Sequence, residues 1–231
     1  MEHGFSAIAK LLSPGAPGQA KRAMHARLLF GLSAIAAAAA ALLFRGKTTD
    51  NDETGETVEG VRVAPGVTLG QRAVEVLSRY AGQRGSGKKG TPGYHRGVLI
   101  DAINRGLHGD MGERLLGEPW CARAVRWAYE VAAEELGQPS PFSRIKNPLS
   151  DVSAWKGASF RRFFLRAPKV GAALLLGSQH ATLIAQVLSS DTVITVEGNH
   201  GDAVAHVKRT LRPQDTIVDV EAYVLSGARG S

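Results

Sequence analysis

Glu118-Pro119-Trp120-Cys121-Ala122-Arg123-Ala124-Val125-Arg126-Trp127 opens the segment that divides the chain into two textures. From residue 121 to 136 the apolar side chains Cys121, Ala124, Val125, Ala128, Val131 and Ala132 recur at helical spacing. Arg126 and Glu130 make an i,i+4 pair on the polar side, and Gly137 stands where a helix commonly ends. Upstream, residues 69–80 and 95–107 also read as helices, and 150–155 reads as a short one. Downstream the runs 171–176, 181–188, 192–197, 203–211 and 217–225 are β-branched or alternating and are separated by turn residues. Helices first and strands second predict an α+β domain, with N-terminal helices packed on an antiparallel sheet.

The same stretch carries the chemistry. Cys121 falls in the first turn of its helix, where the partial positive charge favours thiolate over thiol. Pro119 suits the turn into a helix start, and Trp120 reads equally as a wall of a substrate groove or as a core aromatic. Cys121 is the one cysteine, so it makes no intramolecular disulfide. The bland alternative is a small buried hydrophobe, which free cysteines often are.

A base has to come from elsewhere in the fold. His180 opens the run 181–188 directly after Gly177-Ser178-Gln179. The chain then doubles back at Ser189-Ser190-Asp191 and ends its next run in Glu197-Gly198-Asn199. A turn with an even number of residues puts His180, Glu197 and Asn199 on one face of the hairpin. Glu197 or Asn199 beside the imidazole would orient it and fix its tautomer. A cysteine, a base and an orienting group make a constellation for acyl transfer.

Other features exclude rival chemistries. Gly82-Gln83-Arg84-Gly85-Ser86-Gly87-Lys88-Lys89 nearly spells a phosphate-binding loop. Its last position is Lys89 instead of the Ser or Thr that ligates magnesium, and no strand precedes it. His200, Asp202 and His206 fit no tight metal-ligand spacing and read as solvated turn residues; His95 and His108 receive no role. The formal net charge of +7 is concentrated near the start: residues 1–47 hold six basic side chains and one acidic one. The remaining 22 basic and 20 acidic residues nearly balance, which argues against nucleic-acid binding.

The 17 residues 28–44 carry no charge. With Lys10, Lys21, Arg22 and Arg27 before them and Asp50, Asp52, Glu53, Glu56 and Glu59 after, they predict a single membrane-spanning anchor over 27–45. Residues 1–26 then form a basic cytoplasmic tail, 46–66 an acidic flexible linker, and 67–228 the globular domain on the far side of the membrane. Cleavage as a signal peptide, giving a secreted domain, is the rival.

Pro119-Trp120-Cys121-Ala122-x-x-Val125-x-Trp127 precedes a short helix with Val152 and Trp155, then Ala167-Pro168-Lys169-Val170-Gly171, then His180 at a strand start, then Thr195-Val196-Glu197-Gly198-Asn199. This order and spacing resemble CHAP domains of the NlpC/P60 superfamily, roughly over residues 69–225. The resemblance implies a papain-like core in which Cys121 is the nucleophile, His180 the base, Glu197 the orienting residue and Asn199 the accompanying amide. It implies cleavage of an amide bond in peptidoglycan, as a muramoyl-L-alanine amidase or a crosslink endopeptidase, with no metal and no cofactor. Two departures bear on groove shape: Ala172 stands where the family commonly has an acidic residue after the glycine, and Ala181-Thr182-Leu183-Ile184 replaces the usual Val-Gly-Ile-Val. With the anchor, these expectations describe a wall hydrolase tethered to the bacterial inner membrane, for remodelling or lysis. The alternative is a catalytically silent module of the same fold that binds wall peptides or serves as a scaffold.

Overall fold

The computed structural model describes residues 55–61, 68–87, 95–108, 118–145, 149–157 and 159–228. The expected anchor over 27–45, the tail before it and the end of the glycine- and lysine-rich loop lie outside these residues. Among the described residues no helix is long and apolar enough to cross a membrane.

The domain is α+β, as its sequence order predicts. Helices α1 (Leu69–Ser78), α2 (Val98–His108), α3 (Cys121–Glu135) and α4 (Val152–Trp155) come first. A seven-stranded antiparallel sheet is built from β1 (Glu56–Thr57), β2 (Phe164–Leu165), β3 (Ala173–Leu176), β4 (His180–Val187), β5 (Thr192–His200), β6 (Ala203–Thr210) and β7 (Thr216–Val218). The strand order is β1-β6-β5-β4-β3-β7-β2. Helix α5 (Val220–Ala228) closes the described chain.

Two segments depart from the sequence reading. The run 217–225 is expected to be one strand, but the chain pairs only over β7 and then turns into α5. Asp219 makes the change by capping: its Oδ1 accepts the Ala222 amide at 3.0 Å. Val220, Tyr223 and Val224 then pack on the core at helical spacing, which outweighs β-propensity. Within the stretch read as linker, Glu56 and Thr57 pair with Lys208 and Val207 at the sheet edge.

Local chemistry explains the placement of α1 and α3. Thr68 and Gln71 form a reciprocal capping box that starts α1. The helix presents Leu69, Ala73, Val74, Val76 and Leu77 to the interior. Gly70 lies so close to the chain that a Cβ there would stand 2.6 Å from the Gly171 carbonyl oxygen. Tyr129 of α3 donates to that same oxygen at 2.5 Å. Helix α3 ends as expected: Gly137 is left-handed, with φ 65°, and Gln138 N–H returns to the Ala133 carbonyl at 2.8 Å.

Alternation along the strands divides the sheet into two faces. Ala173, Leu175, Ala181, Leu183, Val196 and Val218 join the helices in the main core. Leu174, Leu176, Ile184, Val193 and Ile217 make a second, smaller cluster. The catalytic candidates sit where the start of α3 meets the starts and ends of the central strands.

Candidate active site

Cys121 is the first residue of α3 and is 4% exposed. The residue before it, Trp120, has no side-chain acceptor for the amides of the first turn. Those donors remain available to the sulfur. The His180 ring and the backbone N–H groups of Ala181 and Ala122 lie around the sulfur and favour its charged form. Burial pushes the thiol pKa up, but the imidazole and the two amides outweigh it and hold it below the usual value of 9.0.

His180 stands at the first position of β4, beside the β3–β4 turn. The register pairs Leu183 with Val196, which sets His180 diagonal to Glu197 on the same face. His180 Nε2 lies 2.9 Å from Glu197 Oε2, which leaves Nδ1 for the cysteine. Burial alone would lower the imidazole pKa. The Glu197 carboxylate and the Cys121 sulfur overcome that and raise it to about 10. Both shifts favour one charge state, a thiolate beside an imidazolium.

Glu197 is fully buried, which by itself disfavours its charge. Its neighbours reverse this. Arg209 of β6 grips both oxygens, Nε to Oε1 at 2.8 Å and Nη2 to Oε2 at 2.7 Å. Thr195 Oγ1 donates to Oε1 at 2.5 Å, and His200 Nδ1 lies 3.5 Å from Oε2. Its pKa is held well below the ordinary 4.5. A carboxylate this well satisfied is a fixed acceptor for His180 Nε2.

The four residues singled out by sequence therefore separate. Cys121, His180 and Glu197 come together: His180 is hydrogen-bonded to Glu197 and lies beside the Cys121 sulfur. Asn199 makes no hydrogen bond to it. The β5–β6 pairing slips between Glu197 and His200, and Asn199 takes a left-handed φ of 66° on that irregularity. The simple alternation that would have placed Asn199 beside Glu197 is broken there.

Of the two readings of Trp120, its burial agrees with the core aromatic, where it acts as a strut. It is fully buried, and its Nε1 donates to Asp202 Oδ1 at 3.2 Å. Gly198 packs on it: a Cβ there would lie 2.8 Å from the indole and 2.5 Å from Ala124 Cβ. Asp202 and His206 are not solvated turn residues. Asp202 Oδ1 takes His95 Nδ1 at 2.6 Å, and His206 Nε2 is 3.0 Å from Ser78 Oγ. Among the described residues, no three His, Cys, Asp or Glu side chains are grouped to hold a metal ion.

Sequence reasoning missed Arg209 and Thr195 as supports of Glu197. An arginine two residues from a strand end usually reaches solvent, and nothing in the alternation of β6 distinguishes this one. A cleft of about 470 Å³ opens beside Cys121, bordered by Pro119, Cys121, Asp151, Val152, Ser178 and Gln179.

No family model matches this chain, and no curated protein or solved structure matches it.

Proposed function

We propose that this protein is a cysteine-dependent amidohydrolase that cuts an amide bond in peptidoglycan, with a papain-like CHAP-type core. The observation that carries this reading is the buried chain Cys121–His180–Glu197 opening onto a cleft. The sequence pattern from Pro119 to Asn199 supports it and supplies the substrate class. The uncharged segment 28–44, flanked by basic and then acidic residues, supports a single-pass anchor that leaves the domain on the wall side of the inner membrane.

The Cys121 thiolate attacks the amide carbonyl carbon, and the electron pair moves to the oxygen. Backbone N–H groups at the start of α3 receive that oxyanion. As the C–N bond breaks, His180 gives its proton to the leaving amine. Neutral His180 then takes a proton from water, which attacks the thioester and returns the acid product and the thiolate. Glu197 keeps the imidazole in one orientation throughout, and Arg209 and Thr195 keep Glu197.

The full-length chain and its Cys121→Ala variant, incubated with purified peptidoglycan, test the reading by mass spectrometry of the released fragments. Fragments from the wild type alone are expected, and they identify the bond. No fragments from folded, reduced wild type would instead favour a silent wall-binding module.

A further inference from the structure

Strand β1 precedes the first helix of the domain, and it docks on the strand that carries Arg209. Glu56 pairs with Lys208 and Thr57 with Val207, and Val58 N–H donates to the His206 carbonyl at 2.8 Å. Just before the strand, the backbone of Gly55 lies on the guanidinium. A Cβ added there would stand 2.7 Å from Arg209 Nη1, 2.8 Å from its Cζ and 2.4 Å from Val207 Cγ1. Arg209 holds both oxygens of Glu197, one of which holds His180.

We propose that residues 55–58 are a positioning element of the active site: docked on β6, they close over Arg209 and so hold Glu197 and His180 in the arrangement that keeps Cys121 reactive. This rests on the reading of Cys121 as the nucleophile. Only a glycine lets the chain approach the guanidinium this closely. The backbone excludes water from one side of a buried ion pair, where water would weaken it. A pocket of about 450 Å³ adjoins the contact, and its charged groups are Glu56, Lys208, Arg209 and Arg212. A two-residue strand holds its place weakly by itself. The site is thus complete while the segment leading into the domain lies along the sheet, and its support loosens when that segment is drawn away.

The test labels Cys121, the one cysteine, with iodoacetamide across pH in the full-length chain. This reads thiolate without a wall substrate. Gly55→Val introduces the clash, Val58→Pro removes the donor to His206, and Val58→Ala keeps that donor. Gly55→Val and Val58→Pro are expected to move the profile about one pH unit upward, a roughly tenfold slower reaction on its acid side. Val58→Ala is expected to follow the wild type, with melting curves confirming that each domain is folded. If Gly55→Val unfolds, the Val58 pair decides alone. Coincident profiles for Val58→Pro and wild type would overturn the proposal, as would an equal shift in Val58→Ala. An ordinary thiol profile in the wild type would overturn the nucleophile reading itself, and the proposal with it.

Discussion

Two histidine–carboxylate pairs flank the start of α3, and only one of them lies beside Cys121. In the first, His180 Nε2 meets Glu197 Oε2 at 2.9 Å while the ring also lies beside the Cys121 sulfur. In the second, His95 Nδ1 meets Asp202 Oδ1 at 2.6 Å, and the same oxygen accepts the Trp120 indole N–H at 3.2 Å. The first pair ends beside the Cys121 sulfur; the second ends on the residue before it. The contrast teaches that a buried imidazole–carboxylate contact is not by itself a catalytic signature. What lies beyond the imidazole and what else holds the carboxylate decide its role. Glu197 is gripped by a guanidinium and a hydroxyl, whereas Asp202 ties the β5–β6 turn and His95 to Trp120.

Substitutions sharpen this contrast. His180→Ala is expected to lower peptidoglycan turnover by about 10²–10⁴-fold, the range supplied by a positioned acid–base. Steady-state fragment release measures it, and Cys121→Ala sets the floor. Glu197→Gln comes next and acts on stability as well, because it leaves Arg209 buried without its counter-charge. Denaturant unfolding near neutral pH should show a loss of about 3–5 kcal/mol, the scale for breaking one side of a buried pair. The imidazolium contributes fully below its unfolded pKa of about 6.5, and the contribution is lost as pH rises through about 10. The stability gap between wild type and Glu197→Gln should therefore narrow above pH 10. It should narrow again on acidification, as the carboxylate is protonated well below 4.5.

The smaller effects belong to the strut. Gly198→Ala drives a methyl against Trp120 and Ala124 and should cost about 1–3 kcal/mol of stability. Asp202→Asn should cost about 1–3 kcal/mol through weakened partners and leave turnover within about tenfold of wild type. A loss with Asp202→Asn as large as that with His180→Ala would erase the distinction between the two pairs.

Part of this candidate site was legible in the sequence, where a local cause sets a residue's place. Cys121 announces itself by its place after Pro119-Trp120 at a helix start. His180 and Glu197 share a face because the β4–β5 pairing slips by one residue between Ile184 and Gln186, which offsets the odd, three-residue turn Ser189-Ser190-Asp191. Parity fails at Asn199, where a left-handed residue and a slipped register follow the Gly198 approach to Trp120. Trp120 stays open between groove and core in the sequence for a related reason. An indole at a helix start faces solvent or core according to what packs on it, and Gly198 and Asp202 come from some 80 residues away. Arg209 and β1 were invisible because their partners are long-range. A two-residue strand carries no periodicity, and its pairing is set by β6. The α5 helix after Asp219 shows the remaining limit, since its apolar residues satisfy either period until the tertiary core selects one.

The central claim is that Cys121 is a thiolate maintained by His180, and a single cysteine makes it directly measurable. Iodoacetamide labelling of the full-length protein, wild type against His180→Ala, should be followed from pH 5 to pH 10. The account predicts fast labelling of the wild type well below pH 9, with His180→Ala shifted to higher pH and slower at neutrality. Coincident profiles that both rise only near the ordinary thiol pKa would contradict it and return Cys121 to the core.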